Sequence, residues 1–150
     1  DSLYIVGFSS HARQIKKEDL SYMNWDEFDP YTNLQQGLFL ARKLLAKERS
    51  ANKQIILVTD GEPTAHHEGG DIFFHNNPRT LQLTLSEVRN CTQKGIVINT
   101  FMLESSQYLS AFATQMTRLN KGRLFYTRAD DLGQYLLVDY ISNKRRRLEA

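Results

Sequence analysis

The chain has 150 residues, enough for one globular domain with a substantial hydrophobic core. Hydrophobic residues make up 41% of it, too many for an intrinsically disordered chain, and no apolar run approaches the roughly 20 residues that would cross a bilayer. The formal net charge is +2, and the run Lys144–Arg147 supplies more than that excess. The rest of the chain is therefore net negative, and we expect it to bind neither nucleic acid nor a membrane.

The first predicted element is a strand over residues 3–8, followed by a polar stretch, residues 9–19, that allows a short edge strand. Apolar residues at helical spacing then predict a helix between residues 34 and 45. The continuous apolar run Ile55–Val58 predicts a strand buried on both faces. An irregular segment over residues 61–79 comes next, and a loop of that length in a compact domain is often functional.

The second half of the chain continues the alternation of strands and helices. Helices are predicted around residues 81–92, 109–119 and 132–140, and strands over residues 96–102 and 123–127. This order predicts an α/β fold with a mostly parallel sheet. We assign residues 1–143 to the domain and residues 144–150 to a basic tail outside it. The single cysteine, Cys91, excludes an intrachain disulfide and is expected to be a buried thiol.

Ligands of α/β proteins bind at the carboxyl ends of strands, and the sequence offers one candidate ligand there and a second at a helix start. The strand Ile55–Val58 ends in Thr59-Asp60-Gly61-Glu62-Pro63, where Asp60 is either a ligand for a hard cation or part of an ordinary turn. Thr32 precedes the first predicted helix and, with Gln35, matches a capping box. The Thr32 hydroxyl is alternatively a neutral metal ligand.

The long loop contains a rival group of metal-binding side chains. Imidazoles and carboxylates can bind Zn²⁺ or Ni²⁺, and the loop holds His66, His67, Glu68, Asp71 and His75. The adjacent histidines have poor geometry for one ion, because neighbours in an extended segment point in opposite directions. The alternative interpretation is an exposed polar loop.

Taken together, three segments resemble the successive motifs of von Willebrand factor type A domains. These segments are Phe8–Ala12, Thr32–Leu38 and Ile55–Pro63. The third segment and residues 98–103 are similar to bacterial cytoplasmic members of the family. Such members accompany AAA+ ATPases in magnesium-chelatase-like and MoxR-associated systems. The resemblance implies a Rossmann-like three-layer sandwich with a metal-ion-dependent adhesion site for Mg²⁺ or Mn²⁺. Thr32 and Asp60 match two of the family's metal-binding motifs.

The family's first motif, Asp-x-Ser-x-Ser at the end of a central strand, does not occur here, because Asp1-Ser2-Leu3-Tyr4 precedes a strand. We therefore expect a fold that is incomplete at its N-terminus, without the strand between residues 3–8 and Ile55–Val58. Thr32 and Asp60 alone offer two oxygens, whereas Mg²⁺ takes about six. We expect weak or absent Mg²⁺ binding. We also expect the two unpaired strand edges either to close directly on each other or to mediate self-association.

The resemblance implies protein–protein interaction and no enzymatic activity. A partner's Asp or Glu would complete the metal's coordination, and the expected partner is an AAA+ ATPase or a metalloenzyme undergoing maturation in the bacterial cytoplasm. The rim of the site would consist of Glu62, His66, His67, Glu68 and Asp71. The alternative function is a metal-dependent hydrolase that uses Asp60 with His66 or His67.

Overall fold

The computed structural model of the chain describes residues 2–23, 28–60, 62–74, 78–103 and 107–133. The strands in chain order are β1 Ile5–Phe8, β2 Ala12–Ile15, β3 Lys53–Thr59, β4 His66–Glu68, β5 Asp71–Phe73, β6 Ile96–Met102 and β7 Leu124–Tyr126. The α-helices are α1 Leu34–Ala46, α2 Pro78–Gln93 and α3 Gln107–Asn120. Two 3₁₀ helices cover Lys17–Tyr22 and Ala129–Asp131.

The main sheet is parallel and has the order β3-β6-β7. Its middle strand β6 is almost fully buried, which explains the near-continuous apolar sequence of that segment. The core joins this sheet to the helices; its buried members are Leu34, Leu38, Leu57, Val88, Cys91, Ile96, Ile98, Phe112 and Met116. The predicted α/β class with a parallel sheet flanked by helices is therefore confirmed.

A second, antiparallel sheet is formed by β1 and β2, so the predicted edge strand after β1 is confirmed. This hairpin packs against α1, where Gly37 lets the helix approach closely. A Cβ atom at Gly37 would lie 2.9 Å from Cδ1 of Phe8. Within the described ranges β1 pairs only with β2 and β3 only with β6, so both strands leave one edge unpaired.

The segment predicted to be irregular contains regular structure. β4 and β5 form an antiparallel hairpin over residues 66–73, and α2 begins at Pro78. The hairpin was missed because its strands have three residues each and carry histidines and carboxylates in place of an apolar alternation. The helix predicted for residues 132–140 lies outside the described residues from residue 134 onward, as does the basic tail.

Candidate functional site

An open cavity of about 280 Å³ lies between the unpaired edges of β1 and β3, toward their carboxyl ends. We call it the inter-sheet cavity; it is lined by Val6, Gly7, Phe8, Thr32, Val58, Thr59 and Asp60. Thr32 comes from the segment before α1, and Asp60 from the residue after β3. The fold therefore brings together the two residues that the sequence singled out as metal ligands.

Backbone hydrogen bonds fix Thr32 beside the loop that follows Asp60. The Thr32 amide donates to Oγ1 of Thr64 at 2.9 Å, and the Thr32 carbonyl accepts from the amides of Thr64 at 2.9 Å and Ala65 at 3.3 Å. Asp60 is exposed and Thr32 is half-buried. One hydroxyl and one carboxylate are thus held at the mouth of the cavity by two tethered loops.

The cap of α1 differs from the predicted capping box. Asn33 is the N-cap, and its Oδ1 accepts from the amide of Gln36 at 3.1 Å. Gln35 instead holds the β4 strand, since its Oε1 accepts from the amide of His67 at 2.6 Å and its Nε2 donates to the His67 carbonyl at 3.0 Å. Capping α1 therefore does not require the Thr32 hydroxyl.

A second carboxylate, Asp29, organises the loop after β1. It accepts from the hydroxyls of Ser9 at 2.9 Å and Ser10 at 2.7 Å, and from the Ser10 amide. Burial acts to raise the pKa of Asp29, but the hydrogen bonds from Ser10 and Ser9 outweigh it and keep the pKa below its ordinary value. Sequence reasoning missed Asp29, because the contact joins segments that are about twenty residues apart.

The hydrogen bonds of two histidines near this loop indicate whether Nδ1 of each ring donates or accepts. The Asp29 carboxylate only accepts, so the Ser10 hydroxyl donates to it, and the Ser10 oxygen accepts from Nδ1 of His11 at 2.9 Å. Nδ2 of Asn33 donates to the Ser10 carbonyl at 2.9 Å and to Nδ1 of His67 at 2.8 Å. His67 is therefore neutral with its proton on Nε2.

Two further histidines influence the protonation of His67. Its ring lies edge-on to that of His11, with centroids 6.0 Å apart, and it follows His66 along β4. Burial, followed by the two neighbouring imidazoles, lowers the pKa of His67 below its ordinary value. His66 is only 2% exposed and its Nδ1 bonds to Oγ1 of Thr80 at 2.9 Å, so its ring does not lie on the partner-facing surface expected for it.

The acidic residues of the proposed rim differ in their surroundings. Glu62 is half-buried, and Asp71 is exposed on the β4–β5 hairpin. Glu68 pairs with Arg79 of α2, with 2.7 Å between Nε and Oε2. The hydrogen bond from Arg79, against a smaller opposing effect of burial, lowers the pKa of Glu68.

The donor set fits part of a Mg²⁺ site. Asp60 and the hydroxyl of Thr32 are hard oxygen donors of the kind that Mg²⁺ prefers, and they line one cavity. No group of three or more His, Cys, Asp or Glu side chains that could hold a metal occurs in the described ranges. The same finding gives no support to the rival zinc or nickel site in the described part of the loop; His75 lies outside the described residues.

A parallel sheet flanked by helices, with oxygen donors at its carboxyl edge, agrees with the architecture that the resemblance to von Willebrand factor type A domains implies. The chain matches the family described as "Rv0959-like protein, vWA domain" over residues 1–141, and it belongs to that family.

Its relatives include the uncharacterized proteins Rv0959 of Mycobacterium tuberculosis H37Rv and Mb0984 of Mycobacterium bovis. Each is 32% identical over 153 residues, covering 97% of this chain and 23% of the relative. The chain thus spans about a quarter of the length of these curated relatives, whose names state no activity. No solved structure matches the chain. The helices in the described ranges lack the length and apolar character needed to span a membrane.

Proposed function

We propose that this domain is a protein-interaction module whose binding site is the mouth of the inter-sheet cavity. The observation that carries the proposal is the placement of Thr32 and Asp60, from separate segments, on one open cavity at the carboxyl edge of the sheet. Ligand sites in α/β folds concentrate at that edge. Membership of a von Willebrand factor type A family is consistent with an interaction role.

The proposed metal is Mg²⁺ or Mn²⁺, held by the Thr32 hydroxyl and the Asp60 carboxylate. When bound, the ion would supply a cationic position that accepts a carboxylate of the partner. Asp60 alone would repel such a carboxylate, so the ion determines whether an acidic or a basic partner is preferred. Two protein oxygens are few for Mg²⁺, so we expect the chain alone to bind it weakly or not at all.

The proposed partner is a protein that offers an Asp or Glu, with an AAA+ ATPase of the bacterial cytoplasm as the class implied by the family resemblance. Glu62, His67, Glu68 and Asp71 would form the rim. A hydrolase that uses Asp60 with a loop histidine has less support, because the His66 ring is buried against Thr80 and Nδ1 of His67 already accepts from Asn33. We therefore propose a non-enzymatic role.

Titration with Mg²⁺ and Mn²⁺ tests the metal position. We expect dissociation constants in the millimolar range for Mn²⁺, measured by electron paramagnetic resonance. Asp60→Asn or Thr32→Val should weaken this binding. Asp71→Asn, an exposed carboxylate on the hairpin, is the matched control and should leave binding unchanged. Binding that survives both site substitutions would contradict this position. Micromolar binding that Asp60→Ala abolishes would contradict the partial site.

Selection of displayed random peptides against the immobilised chain tests the interaction. In millimolar Mg²⁺ the selected peptides should be enriched in Asp or Glu, and EDTA or Asp60→Asn should remove the enrichment. Selection of Lys- or Arg-rich peptides that Asp60→Asn abolishes would instead show that Asp60 itself binds cationic partners. Turnover of a small ester or phosphate substrate that Asp60→Ala abolishes would support the hydrolase.

A further inference from the structure

Residue His67 attaches the β4–β5 hairpin to the start of α1. The Gln35 side chain binds the amide and the carbonyl of His67, and Nδ2 of Asn33 donates to its Nδ1 at 2.8 Å. Of these contacts, the one to Nδ1 depends on the protonation state of the imidazole, because Nδ1 accepts a hydrogen bond only while it carries no proton. A proton on Nδ1 would place two N–H groups against each other.

The Asn33 amide cannot turn over to accommodate a protonated imidazole. Its Oδ1 accepts from the amide of Gln36 at 3.1 Å, and its Nδ2 also donates to the Ser10 carbonyl at 2.9 Å. Exchanging the two atoms would set Nδ2 against the Gln36 amide and Oδ1 against the Ser10 carbonyl. Asn33 is fully buried, where polar groups without a partner are costly. It is therefore a fixed donor toward His67.

The titratable and charged groups around His67 come from its own strand and from the elements packed against it. They are His66 and Glu68 of β4, Asp71 of β5, Arg79 of α2, His11 of the β1–β2 turn, Asp29 behind Ser10, and Glu62 before β4. The first turn of α1 contains no acidic residue, and Arg79 is paired with Glu68. Burial, followed by His11 and His66, lowers the pKa of His67. These surroundings oppose a positive charge on the ring, as the Asn33 donor does.

The same hairpin is connected to the candidate site through the residues that precede β4. The amides of Thr64 and Ala65 donate to the Thr32 carbonyl, and Oγ1 of Thr64 accepts from the Thr32 amide. Ala65 is followed directly by His66, the first residue of β4. A displacement of β4 from α1 therefore acts on the hydrogen bonds that fix the Thr32 backbone at the mouth of the inter-sheet cavity.

We propose that protonation of His67 releases the β4–β5 hairpin from the start of α1 while the main sheet stays folded. At neutral pH the hairpin is docked and Thr32 is held in place. In mildly acidic solution the hairpin leaves α1 and the hydrogen bonds to Thr32 break. The domain thereby has a pH-dependent control of its candidate site. This last step rests on the proposed function of Thr32 and Asp60, whereas the release of the hairpin does not.

Amide hydrogen exchange, measured residue by residue by nuclear magnetic resonance and corrected for the intrinsic effect of pH on exchange, tests the release. Docking of the hairpin lowers the pKa of His67 below 6.5, and release restores that ordinary value. Docking is therefore fully stable above about pH 6.5 and weakens as the pH falls toward the docked pKa. Between these two values, protection of the His67 amide, which donates to Gln35, should fall about tenfold for each pH unit.

Low concentrations of urea distinguish release of the hairpin from unfolding of the whole chain. Urea promotes a transition in proportion to the surface that the transition exposes. At pH 5.5 the protection of the His67 amide should be nearly independent of urea. Protection of the Thr100 amide, which donates to the Arg123 carbonyl within the main sheet, should decline with urea. Protection that is equal at His67 and Thr100 under every condition would overturn local release.

Two substitutions alter the contact between Asn33 and His67 in opposite ways. His67→Gln provides a carbonyl oxygen that accepts from Asn33 and does not titrate, so hairpin protection should be the same at pH 7.5 and pH 5.5. Asn33→Asp still caps α1 and places a carboxylate opposite Nδ1, so protection should rise as the pH falls through 6.5. Thermal unfolding checks that both variants are folded. A decline toward low pH as large as in the unmodified chain, in either variant, would overturn the proposal.

His11→Gln is the matched control, because it removes a neighbouring imidazole and leaves the contact between Asn33 and His67 in place. The decline in hairpin protection should persist and should level off at a higher pH, since the docked pKa of His67 rises toward its ordinary value. Loss of the whole decline in His11→Gln would overturn the role assigned to Asn33.

The amides of Thr64 and Ala65 report separately on the control of the candidate site. A loss of protection that parallels the loss at His67 supports that control. Protection that persists at both amides while it is lost at His67 would overturn the control of the site. Failure of the metal and peptide experiments described above would contradict the proposed function and would leave these exchange results unchanged, so the two failures are distinguishable.

Discussion

The loops of the candidate site are held by individual polar side chains whose proton positions follow from their partners. Asn33 shows this most clearly, because its Oδ1 accepts from Gln36 and its Nδ2 must therefore donate to Ser10 and His67. A proton on Nδ1 of His67 would face that amide N–H group instead of a lone pair. Protonation of His67 consequently opposes the contact between the β4–β5 hairpin and the start of α1.

This arrangement predicts how stability depends on pH. The pKa of His67 is lower in the folded chain than its ordinary value of 6.5, so the unfolded chain binds the proton more tightly. The contribution of His67 to stability is therefore complete above about pH 6.5 and is lost as the pH falls through that value toward the folded pKa. Urea unfolding from pH 7.5 to pH 5 should show a smaller decline in the free energy of unfolding for His67→Gln than for the unmodified chain.

His11→Gln tests how much a neighbouring imidazole contributes to the lowered pKa of His67. The substitution removes one of the two neighbouring imidazoles and keeps a polar side chain. The pKa of His67, followed by nuclear magnetic resonance of the imidazole protons, should rise toward its ordinary value. An unchanged pKa would show that His11 does not contribute and would leave burial and His66 as the causes of the shift.

The position of Gly122 leaves no room for a side chain. A Cβ atom there would lie 1.8 Å from the carbonyl oxygen of Ile98, which belongs to the central strand β6. Gly122→Ala must displace the backbone before β7, and we expect it to lower the free energy of unfolding by about 3 kcal/mol. At Gly133 no atom of the described residues lies within 4 Å of an added Cβ, so Gly133→Ala should change the free energy of unfolding by less than about 0.5 kcal/mol. Equal effects in urea unfolding would contradict this difference.

At the scale of elements, α1 and α2 are linked by an ion pair with little solvent exposure. Arg42 of α1 donates through Nε to Oε1 of Glu87 at 2.5 Å, and the two side chains are 18% and 8% exposed. Glu87→Ala leaves the Arg42 guanidinium without this partner, and we expect a loss of about 3 kcal/mol in the free energy of unfolding. Arg42→Met combined with Glu87→Leu should recover much of that loss, because apolar side chains of similar size can replace a buried pair.

The pair between Arg79 and Glu68 is the comparison for this prediction, since its side chains are 54% and 37% exposed. Exposed ion pairs contribute little, and Glu68→Ala should cost less than about 1 kcal/mol. Should Glu68→Ala destabilise the chain as much as Glu87→Ala does, solvent exposure would not explain the strength of either pair.

The elements that the sequence predicts correctly are those with strong periodicity. The apolar run of β6 and the helical spacing of Phe112 and Met116 in α3 each arise from burial against one core. The β4–β5 hairpin is stabilised instead by contacts to α1, such as that between Gln35 and His67, which leave no periodic pattern. The N-cap of α1 is displaced by one residue from Thr32 to Asn33, because either side chain can cap a helix.

The residues of the candidate site likewise fall into those that the sequence identifies and those that only the structure reveals. Thr32 and Asp60 could be identified from the sequence because Thr32 precedes a predicted helix and Asp60 follows a predicted strand. In the structure both residues line the inter-sheet cavity. The sequence did not identify three further residues of these loops, Asp29, Asn33 and His11. Their roles depend on hydrogen bonds between loops that are distant in sequence.

At the scale of the whole molecule, the strands of the described ranges belong to three separate sheets, and β1 and β3, from two of these sheets, line the inter-sheet cavity. The unpaired edges of β1 and β3 present backbone N–H and C=O groups that another strand can bind. The two edges have not closed on each other, so direct pairing of β1 with β3, one of the expected outcomes, does not occur. We therefore propose that they bind a strand from another chain.

This predicts concentration-dependent self-association, measured by sedimentation velocity. A lysine on an edge strand disfavours strand pairing through its charge, so Val6→Lys on β1 should shift the chain toward monomer. Gln115→Lys, at an exposed position of α3, adds the same charge at a residue that does not line the inter-sheet cavity and should leave the association unchanged. Amide hydrogen exchange should be slower in β1 and β3 at high concentration than at low concentration. Monomer at every concentration, with full protection of both strands, would exclude association through these edges.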